Sequence, residues 1–295
     1  MRGAQMKLLN NFTVGQLFRS RQKVARSSRS IHLLMDNSNF NVREAYKTCR
    51  TNVMFTLPEE KSSIIVLTSS WPMEGKTTNC ANLAITFAQT GAPTLIIEGD
   101  LRKPRLGKMF ELESKNGLTN CLRKFCSVSE AIHKTSYDNL YLMPSGHIPP
   151  NPAELLTSVE MADLLNDLKE KYAYILIDTP PVNILTDALV LARIASGTIV
   201  VARQGMTDYK SLSEAIEKIK FSNSKILGFI LNDAVEERNN YYKYRTGYGK
   251  YNYYKKQYYN NYEYRDEEYA DMFGEEDEYT EDDFESPENN KRLGG

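Results

Sequence analysis

"SIIVLTSSWPMEGKTTNCANLAITFAQTG", residues 63–91, decides the fold. It opens on "SIIVLTS" (63–69), apolar at consecutive positions, as a strand buried on both faces of a parallel sheet should be. It closes on "TTNCANLAITFAQTG" (77–91), an amphipathic helix candidate ending at Gly91, a sensible boundary residue. Between them, Ser70-Trp71-Pro72-Met73-Glu74-Gly75-Lys76-Thr77 fits a P-loop whose first glycine has become serine. In such a loop the backbone amides and the helix N-terminus cradle phosphate oxygens. The lysine neutralises the β- and γ-phosphates, and the threonine hydroxyl ligates Mg²⁺. Ser70, Glu74, Gly75, Lys76, Thr77 and Thr78 are therefore the expected ATP-binding residues. A bare Gly-Lys-Thr is common by chance; the strand–loop–helix setting gives it weight.

The same alternation continues outward. "TLIIEGD" (94–100), "LYLMPSG" (140–146), "YILIDTPP" (174–181), "GTIVVARQ" (197–204) and "KILGFILND" (225–233) read as further buried strands. "EAYKTCRTNVMF" (44–55) and "TDYKSLSEAIEKIKFS" (207–222) read as helices. The expected fold class is α/β: a P-loop NTPase with a mostly parallel sheet and helices on both faces. That domain is placed at residues 36–238, with a basic arm at 1–35 and a disordered tail at 239–295.

Net charge is only −1, but the average hides a gradient. Residues 1–35 hold seven Lys or Arg and no acid, whereas Asp266 to Glu285 holds twelve carboxylates. Polarity of this kind suggests tails on a balanced globular centre. None of Cys49, Cys80, Cys121 and Cys126 forms a CxxC pair, which argues against a zinc or thioredoxin-type site. No apolar run approaches the roughly 20 residues that a membrane span needs, and no signal peptide is evident, so a cytosolic protein is expected.

Two more segments belong to the site. "ILIDTPP" places Asp178 at the end of a buried strand, where a Walker B carboxylate holds the Mg²⁺ shell. "LIIEGDLRKP" places Glu98 and Asp100 at the end of another strand, two residues apart and so on one side.

"IIEGDLRKP" after a P-loop, then "LMPSGHIPPNPAELL", then "YILIDTPPV", resembles the bacterial tyrosine kinases of capsule and exopolysaccharide systems. These belong to the MinD/ParA-like P-loop ATPases and are unrelated to eukaryotic protein kinases. The resemblance runs from about Glu44 to Asp233 and returns in a tyrosine-rich tail. It implies a phosphate role for Lys76 and a Mg²⁺ sphere of Thr77, Asp100 and Asp178. Glu98 would orient or deprotonate the attacking tyrosine hydroxyl, and Arg102 would assist near the phosphates. "EAYKTCR" is similar to the family's ring-forming ExxRxxR helix, which makes Glu44, Lys47 and Arg50 oligomer-interface candidates. Asn232 is an expected adenine contact.

The chain departs from the family pattern at three places. Glu98 stands where aspartate is usual, Met73 replaces a loop glycine, and Lys47 replaces an arginine. A side chain at 73 would hinder any positive-φ conformation, and one extra methylene at 98 moves a carboxylate where shifts of about 1 Å matter. Trp71 stands where the MinD and ParA relatives carry a lysine.

"YYKYRTGYGKYNYYKKQYYNNYEY" (241–264) has eleven tyrosines and almost nothing aliphatic to pack them. The expected phosphoacceptors are Tyr241, Tyr242, Tyr244, Tyr248, Tyr251, Tyr253, Tyr254, Tyr258, Tyr259, Tyr262 and Tyr264. A flexible tail offers them to a neighbour at high effective concentration within a ring. Each phosphate adds about −1.5 to −2 charges, enough in number to reverse the tract's charge and loosen the ring. The resemblance further implies a transmembrane polysaccharide co-polymerase-type adaptor, protein tyrosine substrates and a cognate tyrosine phosphatase. The acidic terminus would repel phosphate, so no nucleic-acid partner is expected. The alternative is a catalytically weak or inactive P-loop ATPase scaffold in the same polysaccharide assembly.

Overall fold

The computed structural model describes residues 33–35, 38–112 and 114–234. The expected domain boundaries, residues 1–32 of the basic arm, the tyrosine cluster and the acidic segment lie outside the described residues, whereas Leu34, within the expected arm, is buried in the core. Seven strands form one sheet: β1 Ser63–Ser69, β2 Thr94–Glu98, β3 His133–Lys134, β4 Leu140–Met143, β5 Tyr174–Asp178, β6 Gly197–Arg203 and β7 Ile226–Asn232. Their order is β3-β4-β2-β5-β1-β6-β7, parallel throughout except for β3 against β4. The helices are α1 Phe40–Thr56, α2 Lys76–Ala88, α3 Leu106–Met109, α4 Leu118–Leu122, α5 Val128–Ala131, α6 Pro152–Thr157, α7 Val159–Lys169, α8 Asp187–Ala192 and α9 Tyr209–Phe221.

Alternation along the strands splits the core in two. Ile65, Leu67, Ile96, Leu176 and Ile199 pack with Tyr46, Cys49 and Val53 of α1 and with Leu83 and Phe87 of α2. Ile64, Val66, Leu95, Ile97, Ile175 and Ile177 face the other way, onto Leu164, Leu165 and Leu168 of α7 and Leu191 of α8. Each strand therefore needs apolar residues at both parities, which explains the unbroken Ile/Val/Leu runs. Burying one such Leu, Ile or Phe contributes about 1.5–3 kcal/mol. β3 had no counterpart in the sequence reading: two polar residues, His133 and Lys134, pair antiparallel with β4 and carry no apolar run.

Capping follows local chemistry. Asp208 accepts from the Ser211 amide at 2.8 Å to start α9, and Ser158 accepts from Met161 at 3.3 Å to start α7. Cys49 and Cys80 are buried, Cys121 and Cys126 are half-buried, and all four are free thiols. No helix among the described residues is long and apolar enough to cross a membrane.

Candidate active site

β1 ends between β5 and β6, and its loop turns directly into α2. This gathers the carboxylates ending β2 and β5 beside Lys76. The registers Leu67↔Asp178 and Glu98↔Asp178 bring the two strand ends level with the end of β1. Lys76 Nζ lies 3.1 Å from Asp100 Oδ2, 3.5 Å from Asp178 Oδ2 and 3.3 Å from Thr77 Oγ1. The lysine, the hydroxyl and the two carboxylates expected to act together are thus in contact. Burial pushes the Asp178 carboxyl up to about 6 against the pull of the Lys76 ammonium.

The loop itself is tightly tied. Gly75 takes φ 93°, and a Cβ there would come 2.1 Å from Asn232 Nδ2. Asn232 Nδ2 donates to the Glu74 carbonyl at 3.0 Å, and Asn79 Nδ2 donates to the Gly75 carbonyl at 2.9 Å. Asn232 thus supports the loop from β7, which is how its side-chain nitrogen is used here. Glu74 is fully buried, accepting from the Trp71 amide at 2.9 Å and from the Thr207 hydroxyl. Burial raises its carboxyl to about 7, opposed by those hydrogen bonds. Ser70 is buried at the loop's start, Trp71 packs at 6% exposure, and Thr78 sits half-buried in the first turn of α2. Met73 adopts φ 67°, the conformation that its side chain was expected to resist.

Glu98 is fully buried and its Oε2 accepts from the amides of Arg105 at 2.8 Å and Leu106 at 2.5 Å, anchoring the start of α3. The other oxygen, Oε1, has no hydrogen-bond partner. Burial first, then the nearby Asp178 and Asp100, drive its carboxyl well above the usual range. Arg102 pairs through Nε with Asp187 Oδ2 at 3.3 Å, and Asp187 is itself buried at the start of α8. On α1, Glu44 and Lys47 pair with each other at 2.8 Å, while Arg50 Nη1 donates to the Thr86 carbonyl of α2 at 2.9 Å.

Asp187, Asn79, Arg203 and Thr207 were missed in the sequence. An acid opening the apolar helix "DALVLA" was the available signal for Asp187; the other three carried none.

The donor set suits Mg²⁺. Glu98, Asp100, Asp178 and Asp187 are buried oxygen-donor side chains at the strand ends, beside Lys76 and Arg102, and oxygen ligands are what Mg²⁺ takes. Among the described residues there is no cluster of three His, Cys, Asp or Glu ligands. Mg²⁺ is usually held by one or two carboxylates plus hydroxyl, water and phosphate oxygens.

A P-loop after a central parallel strand, with strand-end carboxylates beside its lysine, defines a P-loop nucleotide-binding domain. The AAA domain family model matches residues 63–228. Tyrosine-protein kinase YwqD of Bacillus subtilis (strain 168) is 36% identical over 220 residues, 75% of this chain and 92% of that protein. The chimerical protein CapA2B2 superimposes with TM-score 0.65 at 35% identity, covering 68% of this chain and 88% of that one. The kinase domain of Escherichia coli tyrosine kinase ETK gives TM-score 0.69 at 26% identity, covering 80% and 94%. The chain belongs to the bacterial tyrosine-protein kinase family.

Proposed function

We propose that this protein is a Mg·ATP-dependent protein-tyrosine kinase that phosphorylates the Tyr241–Tyr264 cluster of neighbouring copies and so regulates capsule or exopolysaccharide synthesis and export. The observation that carries the reading is the meeting of Lys76 with Asp100 and Asp178 beside the loop, in a chain of this family. On ATP entry Lys76 exchanges its carboxylate partners for the β- and γ-phosphates. Thr77, Asp100 and Asp178 would hold Mg²⁺, which supplies neutralisation of the phosphate charge. The Asn232 carboxamide, bonded to the Glu74 carbonyl, would contact the adenine from β7.

Glu98 is held by Oε2 on two amides while Oε1 is left to accept the tyrosine hydroxyl proton. Since Glu98 is fully buried, a tyrosine reaches it only after the residues over it move aside. Activation by a transmembrane polysaccharide co-polymerase-type adaptor, at the inner face of the plasma membrane, supplies that opening in this reading. Glu44, Lys47 and Arg50 lie on the helix that would face the next subunit of a homo-oligomeric ring, and a cognate phosphatase would reset the tail.

The test is phosphotyrosine mapping by mass spectrometry after incubation with Mg·ATP and an adaptor fragment, wild type against Lys76→Met. Phosphate on the 241–264 cluster in wild type alone is the expected result. The closed Glu98 also favours a second reading, a catalytically weak ATPase scaffold. ATP binding without phosphotyrosine in either protein would establish that reading instead.

A further inference from the structure

Met73 is a non-glycine residue at φ 67° in the phosphate-binding loop. For an L-residue this left-handed conformation is unfavourable and persists only where its surroundings hold it there. The surroundings are unusually specific. Arg203, the last residue of β6, donates from Nη1 to the Met73 carbonyl at 3.0 Å. Its Nε and Nη2 grip Asp233 Oδ2 at 2.7 and 2.5 Å, which fixes the guanidinium at the end of β7. Gly205, at φ 72°, then turns the chain back so that Thr207 sits beneath Arg203. The Thr207 hydroxyl accepts from the Arg203 amide at 2.7 Å and donates to the buried Glu74 carboxylate. Two consecutive loop residues, Met73 and Glu74, are therefore held from one turn outside the P-loop.

We infer that Arg203 and Thr207 are positioning residues that hold the Met73–Glu74 arch in the shape that binds phosphate. The requirement arises from the methionine. Glycine populates positive φ about as readily as negative, so a glycine at 73 needs no such clamp. With methionine there, loss of either clamp lets residue 73 relax to negative φ and turns the neighbouring amides away from the phosphate position. This inference rests on the nucleotide-binding reading above.

The test is a pair of double-mutant cycles on the full chain, Arg203→Lys and Thr207→Val each with Met73 and with Met73→Gly. Affinity for a fluorescent ADP analogue with Mg²⁺ and the thermal midpoint without nucleotide are both measured. In the Met73 background each clamp variant is expected to weaken binding about tenfold, and in the Met73→Gly background less than about threefold. Thr207→Ser, which keeps the hydroxyl, should bind like wild type. In phosphorylation assays the clamp variants should raise the ATP KM with little change in kcat, because only the empty loop is misshapen. Equal losses in both backgrounds would overturn the inference, since direct nucleotide contact or a general packing defect takes no notice of residue 73. If wild type binds no nucleotide, the nucleotide reading itself fails. The thermal cycle still decides the clamp, by whether the fall in midpoint shrinks when residue 73 is glycine.

Discussion

Arg102 Nε lies 3.3 Å from Asp187 Oδ2, and the aspartate is 1% exposed where it opens α8. Burial raises the Asp187 carboxyl and the guanidinium pulls it back, so the pair is a buried charge with one designated counter-ion. Removing only the cation strands the anion. Arg102→Ala is expected to cost about 2 kcal/mol, below the usual buried-pair figure because the Arg102 side chain keeps partial solvent contact. Arg102→Ala with Asp187→Asn should recover much of that loss. Urea unfolding of the four proteins checks it; a double variant as weak as Arg102→Ala would show that Asp187 matters through its shape and not its charge.

Glu74 makes stability depend on pH. Its carboxyl is held near 7 in the fold against an ordinary value of 4.5. A raised carboxyl means that the folded state binds the proton more tightly, so this contribution is complete below about pH 4.5 and lost as pH rises through about 7. Relative to Glu74→Gln, wild type should lose roughly 3 kcal/mol across that window. Denaturation midpoints of both proteins at about pH 5 and about pH 8 decide the matter. A difference that grows in favour of wild type as pH rises would contradict the burial of this carboxyl.

Much of the fold was legible because its cause is local. The six strands other than β3 announce themselves by apolar runs, five of them with Ile, Val or Leu at both parities, and the phosphate loop by its place between a strand and a helix. The meeting of Lys76 with Asp100 and Asp178 was legible too, since strand ends in a parallel sheet fall on one edge. What stayed hidden depends on partners far away in sequence. Arg102 and Asp187 are 85 residues apart, and Arg203 and Met73 are 130 apart. The problem at Met73 could be read from the residue type, whereas its remedy at Arg203 could not. Glu98 was read correctly as a strand-end carboxylate, but nothing in its spacing says that the amides of Arg105 and Leu106 will claim one of its oxygens.

The helix α1 separates two roles that the sequence joined. Arg50 is bonded within its own subunit, to the Thr86 carbonyl, while the Glu44–Lys47 pair faces solvent. Arg50→Ala should therefore cost about 1–2 kcal/mol of protomer stability. Glu44→Ala or Lys47→Ala should change it by less than about 0.5 kcal/mol and act on assembly alone. Sedimentation alongside urea unfolding separates these effects. A ring that survives Glu44→Ala and Lys47→Ala together would remove both residues from the subunit contact.

Glu98 offers the sharpest test of the chemistry, because one substitution distinguishes its two oxygens. Glutamine keeps a carbonyl oxygen able to accept from the Arg105 and Leu106 amides, so α3 and the fold should persist. It cannot take a proton from a tyrosine hydroxyl. If Oε1 is the proton acceptor, Glu98→Gln lowers phosphotyrosine formation by at least about 100-fold, the usual scale for losing a general base. Binding of a fluorescent ADP analogue should stay within about twofold of wild type, since Lys76, Thr77 and Asp178 are untouched. Turnover near wild type would instead mean that Glu98 serves α3 alone. The tyrosine would then lose its proton to solvent or phosphate, as a loose phosphoryl-transfer transition state permits. Reduced ADP binding together with lost turnover would point to collapse of the β2 strand end, and circular dichroism would register it.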